Sequence, residues 1–173
     1  MGTIRTIQSS EITDCVARLC TQACTVLPAP VCAFTQAALQ TEPYAPAREV
    51  LALMQQNAEI AAADGVPICQ DTGMAVVFAE VGQDVHIEGG LLSDAVNAGV
   101  SRGYTEGYLR KSVIGDPIRR GNTGDNTPAV LHTKLVAGDR IKLTISPKGF
   151  GSENMSRLVM LTPADGLAGV KRF

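Results

Sequence analysis

A cysteine, an amide and a carboxylate follow one another in the segment VPICQDTGMAVV, as Cys69, Gln70 and Asp71. A thiolate is a soft metal ligand and a good nucleophile when its surroundings keep it deprotonated. A carboxylate two residues away could take part in proton transfer. A nucleophilic cysteine needs a histidine partner, but the two histidines of the chain, His86 and His132, fall in strand-like patterns. The alternative is a small thiol that packs in the core without a chemical role.

Four further cysteines lie near the N-terminus at a spacing that does not favour metal binding. Iron–sulfur and zinc loops bring their ligands together as C-x2-C, whereas the first three of these cysteines follow a C-x4-C-x3-C pattern. On a continuous helix, Cys20 and Cys24 share one face with Val16, which is how core residues are arranged. Structural roles, and not metal ligation, are therefore predicted for Cys15, Cys20, Cys24 and Cys32.

Two glycines and a serine in PKGFGSENMS precede a predicted helix. Backbone N–H groups at such a position favour a carboxylate or a phosphate, and the alternative is a left-handed turn with a helix cap. Arg110, at the end of another predicted helix, could bind an anion through two hydrogen bonds, although a lone arginine is more commonly a surface residue. The loop RRGNTGDNTP lacks the spacing of a calcium loop, so its Asn and Asp side chains are interpreted as Asx turns.

Helical periodicity predicts three N-terminal helices, in SSEITDCVARLCTQACTVL, PVCAFTQAALQ and APAREVLALMQQNAEIAAADG. Gly65 supplies a left-handed residue at the end of the third helix, and Pro67 prevents its continuation. The apolar face expected to be buried on the third helix consists of Val50, Leu53, Met54, Ile60 and Ala61.

The rest of the chain mixes strand and helix patterns. Strands are predicted in GMAVVFAEVG and VHIEGG, and a hairpin is predicted in AVLHTKLV-AGD-RIKLTISP. LLSDAVNAGVSRGYTEGYLRK has helical spacing, and its glycines indicate either close packing on one face or an irregular helix. A last helix begins in TPADGLAGVKRF, with Thr162 as N-cap and Asp165 completing a capping box.

These elements predict one α+β domain over residues 1–173, helical over 9–65 and mixed over 66–173. N-terminal helices are expected to pack on a mixed or antiparallel sheet, and the motif loops are expected to gather at one edge. With 45% apolar and 18% charged residues and a net charge of −2, the composition is that of a globular chain. The basic residues are scattered, so neither nucleic acid nor an anionic membrane is expected as a partner.

The chain has no apolar run of the ~18 residues that a membrane span needs and no signal-peptide pattern. A cytoplasmic protein with reduced thiols is therefore expected. The chain ends on VKRF, without a helix stop signal. It is therefore expected to be the front part of a longer protein.

Five motifs occur in one order along the chain: PICQDTG, EGYLRKSV, GNTGDNTPAVLH, PKGFGSENMSRLVMLTPADG and GVKRF. Together they resemble the class I (iron–sulfur) fumarate hydratases and the related L(+)-tartrate dehydratases. The resemblance is to the α subunit, or to the N-terminal part of the fused form, and runs from about residue 45 to the last residue. It implies the α-type domain of an iron–sulfur hydro-lyase.

The resemblance implies a [4Fe-4S] cluster that leaves one iron open to act as a Lewis acid. Water would be added to or removed from a C4 dicarboxylate, fumarate/malate or tartrate/oxaloacetate. Cys69 matches a cluster ligand, and Asp71 matches an acidic residue with a proton-transfer role. Gln70, Arg110 and Gly151 match substrate contacts, with Arg110 as the clamp on a substrate carboxylate.

The family's other cluster cysteines have no matching positions in this chain, and the N-terminal cysteines do not replace them. The resemblance therefore implies completion by a β subunit or a C-terminal domain. Alone, the chain is expected to be inactive and to form a homo-oligomer through exposed apolar surface. One alternative is a non-catalytic paralogue that binds a carboxylate or a partner subunit. Another is an enzyme with a cysteine nucleophile, which the lack of a Cys–His pair disfavours.

Overall fold

The structure of the protein, a computed structural model, describes residues 4–151 and 156–173. Helices pack beside one parallel and one mixed sheet, which confirms the α+β class. In chain order the elements are β1 (Arg5–Gln8), α1 (Ser9–Thr25), α2 (Ala29–Thr41), α3 (Ala45–Asp64), β2 (Met74–Gly82), β3 (Val85–Glu88), α4 (Leu92–Glu106), β4 (Val130–Val136), β5 (Ile141–Lys148), a 3-10 turn (Pro163–Asp165) and α5 (Gly166–Arg172).

The core lies between the α1–α4 pair and one face of the mixed sheet. Val16 and Cys20 of α1 are buried with Val100 of α4. The two helices approach closely because a Cβ atom at Gly99 would lie 2.6 Å from the Cβ atom of Val16, and Gly103 is similarly close to α1. Close packing on one face, and not an irregular helix, therefore explains the glycine spacing of α4.

Strand β2 is the centre of the three-stranded sheet, whose order is β4-β2-β5. β4 runs parallel to β2 and β5 runs antiparallel to it, with Met74 opposite Lys148. The predicted hairpin is therefore wrong, because β2 lies between its two strands and the AGD turn crosses the end of β2. There the N–H of Gly82 donates a 2.8 Å hydrogen bond to the carbonyl of Arg140. The predicted alternation in β5 is confirmed, since its residues packed against the core are Ile141, Leu143 and Ile145.

A second, two-stranded sheet pairs β1 with β3 in parallel, with Ile7 opposite Ile87. Strand β1 is not among the sequence predictions. Its four residues offer too short a pattern to be recognised, and the strand is defined by its pairing with β3. The strand predicted in VHIEGG is confirmed as β3.

Helices α2 and α3 form a pair that contacts the rest of the described structure only sparsely. Gly65 ends α3 in the left-handed conformation, with φ +66°, as predicted. The expected burial of the apolar face of α3 is wrong except at Ala61. No helix or sheet among the described residues covers that face, and the exposed members are Val50, Leu53, Met54 and Ile60.

The predicted N-cap of the last helical segment, Thr162, is confirmed. The carboxylate of Asp165 accepts hydrogen bonds from the N–H and the hydroxyl of Thr162, at 2.7 and 2.6 Å, and α5 follows the 3-10 turn. The helix predicted after the glycine loop is not found over residues 156–162, which have no regular structure. Residues 152–155 of that prediction lie outside the described residues.

One segment of the described residues, Ser9–Thr41, is long and apolar enough by length and composition to cross a membrane. This qualifies the prediction that no such run exists. The segment is not one helix, because residues 26–28 separate α1 from α2. The apolar face of α1 is used in the core, where Ile12 and Val16 are buried.

Candidate functional site

Three loops meet at one end of the mixed sheet. The turn of residues 69–73 leads into β2, residues 107–129 lead into β4, and residues 149–151 follow β5. β4 is parallel to β2 and β5 is antiparallel to it, so the starts of two strands and the end of the third share one end. The three loops therefore lie together at one end of the strands, whereas the sequence predicts the motif loops at one edge of the sheet.

The turn before β2 is held against the core by its last two residues. The buried Thr72 accepts, at its carbonyl, a 2.9 Å hydrogen bond from the hydroxyl of Tyr104, which is buried on α4. Gly73 has φ +62°, and a Cβ atom there would overlap the carbonyl of Lys148. Because only glycine allows this approach, the turn lies directly beside the end of β5 and the glycine loop that follows it.

The carboxylate of Asp71 bridges the turn and the glycine loop. Its two oxygens accept hydrogen bonds from the N–H groups of Phe150, at 3.0 Å, and Gly73, at 3.1 Å. Phe150, Gly73 and Gly151, through their backbone N–H groups, and the charge of Arg110 hold the pKa of the Asp71 carboxyl below its usual range. The glycine loop thus binds an anionic group, as predicted, but that group is the carboxylate of Asp71 in the same chain.

Arg110 is fixed to the same turn through its backbone. The hydroxyl of Thr72 accepts a 2.9 Å hydrogen bond from the N–H of Arg110 and donates one of 3.2 Å to its carbonyl. The predicted helical position of Arg110 is wrong, because α4 ends at Glu106 and Tyr108 adopts φ +52°. Within the described ranges, the exposed guanidinium makes no side-chain hydrogen bond or ion pair, so its donors can receive an anion.

Asn126 links the loop before β4 to the turn before β2, and it is not among the predicted site residues. It is fully buried, and its Oδ1 accepts hydrogen bonds from the N–H groups of Ser112, at 2.7 Å, and Val113, at 3.2 Å. Its Nδ2 donates a 3.0 Å hydrogen bond to the carbonyl of Gly73. The sequence signal is an asparagine between two turn-forming residues, but that signal does not indicate burial.

Cys69 and Gln70 are exposed at the rim of this loop cluster. The thiol of Cys69 donates to Oε1 of Gln70 at 3.3 Å, and its sulfur accepts a weak hydrogen bond from the N–H of Asp71 at 3.5 Å. An exposed cysteine sulfur is accessible as a soft metal ligand. The residues of ranges 4–151 and 156–173 include no group of three His, Cys, Asp or Glu side chains that could hold a metal ion. Among the described residues, Cys69 therefore stands as a single candidate ligand and not as part of a complete ligand set.

The remaining cysteines do not extend this site. Burial raises the pKa of the Cys20 thiol to about 12 and that of Cys24 to about 11, so both stay protonated and their predicted structural role is confirmed. Cys15 is partly buried, whereas Cys32 is exposed and does not pack in the core. His132 is exposed and stacks on Phe78, with ring centroids 5.1 Å apart. Neither histidine is a hydrogen-bond partner of the thiol at the rim.

The Asx-turn interpretation of the loop before β4 is confirmed for Asn122 and Asp125 and is wrong for Asn126, whose side chain bonds distant backbone groups. Oδ1 of Asn122 accepts a 2.7 Å hydrogen bond from the N–H of Gly124, and Oδ1 of Asp125 accepts one of 3.1 Å from the N–H of Thr127. The hydroxyl and the N–H of Thr127 keep the pKa of Asp125 below its usual range. These side chains use their oxygens on their own backbone.

Comparison with known proteins supports the motif assignment. The family model described as fumarate hydratase (Fumerase) matches residues 13–173. The chain is 34% identical over 169 residues to a protein of Methanocaldococcus jannaschii named "Putative L(+)-tartrate dehydratase subunit alpha", with 94% of this chain and 59% of the relative covered. It is 39% identical over 111 residues to the anaerobic class I fumarate hydratase of Escherichia coli, which covers 63% of this chain and 20% of that protein.

A further relative is the L(+)-tartrate dehydratase subunit alpha of Escherichia coli, 31% identical over 110 residues, with 62% of this chain and 36% of the relative covered. The chain therefore spans about three-fifths of the length of the first of these relatives and less of the others.

Proposed function

Because the chain belongs to the fumarate hydratase (Fumerase) family, we propose that it forms the N-terminal, α-subunit-type part of an iron–sulfur hydro-lyase. The substrate is a C4 dicarboxylate, fumarate/malate or tartrate/oxaloacetate. The observation that carries the proposal is the convergence of Cys69, Asp71, Arg110 and Gly151 at one end of the sheet. These residue types combine a soft metal ligand, a carboxylate and donors for anionic groups, as the family chemistry requires.

Cys69 is proposed as one ligand of a [4Fe-4S] cluster. Its sulfur is exposed, so a metal ion can reach this soft ligand. The remaining ligands are proposed to come from a β subunit or a C-terminal domain, as the described residues supply no set of three. When bound, the cluster supplies a Lewis acid for the hydroxyl group that leaves or is added.

Binding of the dicarboxylate is assigned to three residues of this chain. The guanidinium of Arg110 is exposed, makes no side-chain hydrogen bond within residues 4–151 and 156–173, and extends from a backbone fixed by the turn, so it can clamp one substrate carboxylate. Gln70 is exposed next to the proposed metal ligand, where its amide can donate to substrate oxygens. A Cβ atom at Gly151 would meet no described residue within 4 Å, so a ligand can approach this backbone beside the N–H that serves Asp71.

Asp71 is proposed as the carboxylate that accepts or donates the proton at the reacting carbon. Its lowered pKa means that it is ionised at neutral pH, so it is in the form that accepts a proton. The same hydrogen bonds hold the glycine loop beside the proposed metal ligand, because one carboxylate oxygen binds the N–H of Phe150. Replacement of this residue therefore affects both proton transfer and loop position.

The test uses this chain together with its completing subunit or domain, reconstituted with iron and sulfide without oxygen. Cys69→Ser should abolish the visible cluster absorbance, and Cys32→Ser, a change at another exposed cysteine, should leave it unchanged. An unchanged cluster in Cys69→Ser would reject the ligand assignment. Asp71→Asn should keep the cluster and lose activity by about 10²–10⁴-fold. Full activity in that variant would reject its role in proton transfer.

The alternative is a non-catalytic paralogue that binds a carboxylate or a partner subunit, which the single cluster-ligand position of the described residues favours. Calorimetric titration of the chain alone with fumarate, malate and tartrate separates the two. Binding that Arg110→Gln abolishes, together with no turnover after reconstitution with the completing subunit, would favour the paralogue. The cytoplasm is proposed as the location for either function.

A further inference from the structure

The backbone N–H groups of the glycine loop, residues 149–151, already bind an anionic group in this structure. Oδ2 of Asp71 accepts a 3.0 Å hydrogen bond from the N–H of Phe150, and the N–H of Gly151 donates to the same carboxylate. The proposed function assigns the backbone at Gly151 to a carboxylate of the substrate. A side chain of the protein and the substrate therefore use the same donors.

Close contact between the loop and Asp71 leaves space for one carboxylate. A Cβ atom at Gly149 would lie 3.0 Å from Oδ2 and 3.4 Å from Cγ of Asp71, so the loop backbone lies against this side chain. A second carboxylate at the same N–H groups would meet a like charge at contact distance, which costs free energy. A substrate carboxylate can therefore bind these donors only when it replaces that of Asp71.

The two oxygens of the Asp71 carboxylate have different partners. Oδ1 accepts a 3.1 Å hydrogen bond from the N–H of Gly73 in the same turn, whereas Oδ2 is bound by Phe150, 79 positions away in the chain. The first bond is local to the turn, so it does not depend on the loop. The side chain is partly exposed, so a ligand from solvent can reach it. Displacement from the loop therefore frees Oδ2 and leaves Oδ1 in place.

An exchange of carboxylates conserves the hydrogen bonds of the loop. The N–H groups of Phe150 and Gly151 keep a charged acceptor, because one carboxylate takes the place of another. Donors left without any acceptor would carry a desolvation cost, and this cost does not arise. A small difference in affinity between the two carboxylates therefore decides which of them occupies the loop.

Arg110 provides a second anion position beside the loop. Its charge acts on Asp71, but its exposed guanidinium makes no side-chain hydrogen bond or ion pair within residues 4–151 and 156–173. A ligand with two carboxylates can place one on Arg110 and the other on the N–H groups of the loop. A ligand with a single carboxylate that binds Arg110 has no second group with which to displace Asp71.

We propose that the second carboxylate of the substrate displaces Asp71 from the N–H groups of Phe150 and Gly151 and thereby frees Oδ2 for proton transfer. No covalent bond changes in this exchange. The inference deepens the proposed function, because it rests on the assignment of Arg110 and Gly151 to the substrate. It makes the number of carboxylates a determinant of specificity, since a dicarboxylate releases Asp71 whereas a monocarboxylate leaves it bound to the loop.

The test compares two variants of the 173-residue chain by calorimetric titration with fumarate. Asp71→Ala leaves the N–H groups of the loop without an acceptor, whereas Asp71→Asn keeps an amide oxygen that can accept from the N–H of Phe150. Both variants lose the same charge, so repulsion of the ligand changes equally. Fumarate should therefore bind Asp71→Ala at least about tenfold more tightly than Asp71→Asn. Equal dissociation constants, or no binding of fumarate to Asp71→Ala, would overturn the proposal.

Crotonate is the matched control ligand, because a methyl group replaces one carboxylate of fumarate. It fills one anion position at a time, so its dissociation constants for the two variants should differ by less than about threefold. The same ratio for crotonate as for fumarate would overturn the proposal, since a single carboxylate would then be sufficient.

The wild-type chain gives a second measurement that needs no variant. In nuclear magnetic resonance spectra of the isotope-labelled chain, saturating fumarate should shift the amide signals of Phe150 and Gly151, and crotonate should shift mainly the Nε–H signal of Arg110. Unchanged amide signals with fumarate would overturn the proposal. Turnover of the complete enzyme separates this inference from the proposed function. Turnover without the exchange rejects the inference alone, and the exchange without turnover rejects the hydro-lyase assignment alone.

Discussion

Replacement of Asn126 by alanine should strongly destabilise the chain, although this residue contacts neither the proposed cluster nor the proposed substrate. Three hydrogen bonds would be lost, two from the N–H groups of Ser112 and Val113 and one to the carbonyl of Gly73. Asn126 is fully buried, so water cannot easily replace its side chain.

The magnitude follows from the groups that lose their partner. A buried polar group left without a hydrogen bond costs about 1–3 kcal/mol. Three such groups at the lower part of that range give about 3–5 kcal/mol. Asn126 also has φ +65°, a conformation that asparagine tolerates better than alanine does. Small domains unfold with only about 5–15 kcal/mol, so the variant should lose a large fraction of its stability.

Urea unfolding followed by circular dichroism measures the loss as a change in midpoint. Asn122→Ala is the matched control, because Asn122 lies in the same loop and makes hydrogen bonds of 2.7 and 2.9 Å, but is exposed. It should cost less than about 1 kcal/mol, since water can replace these bonds. Equal losses in the two variants would refute the assignment of Asn126 as the buried link between the loops.

Three further predictions concern the same fold. Gly73→Ala should be destabilised by several kcal/mol more than Gly65→Ala: both glycines have φ near +60°, but only the Cβ at Gly73 would overlap the end of β5. Thermal melting of both variants tests this, and equal melting temperatures would contradict the overlap. The folded-state pKa of Asp71 is lowered, so its ionised form adds stability above the unfolded pKa of about 3.9. That stability is lost as pH falls through the folded pKa. In a plot of the urea midpoint against pH, Asp71→Asn should therefore reduce the slope on the acid side. An unchanged slope would argue against a lowered folded-state pKa of Asp71. In the native chain, iodoacetamide should modify the exposed Cys69 rapidly and the buried Cys20 only after unfolding, which peptide mass analysis can follow; equal rates would contradict the assigned burial.

Much of the secondary structure could be predicted because it depends on local patterns. The spacing of apolar residues and the stop at Gly65 place the N-terminal helices, and the capping pair Thr162–Asp165 places the last one. The irregular loop before β4 was also predictable, since Asn122 and Asp125 bond to their own neighbours. In each case the determining contacts lie within a few residues along the chain.

The candidate site could be predicted as a set of residues but not as an arrangement. Motif resemblance selected Cys69, Asp71, Arg110 and Gly151, which lie up to 82 positions apart in the chain. It did not indicate that the glycine loop binds Asp71, because Phe150 and Asp71 meet only when β2 and β5 pair. Asn126 was missed for the same reason.

The family, most of the helices and strands, and the residue types at the proposed site can be predicted from the sequence alone. Tertiary structure decided that β2 separates β4 from β5, that the apolar face of α3 stays exposed, and that Asp71 takes the position of the anion in the glycine loop. The physical reason is that periodicity shows which residues avoid water but not which surface covers them. Strand order and the partners of backbone N–H groups depend on contacts between residues far apart in the chain.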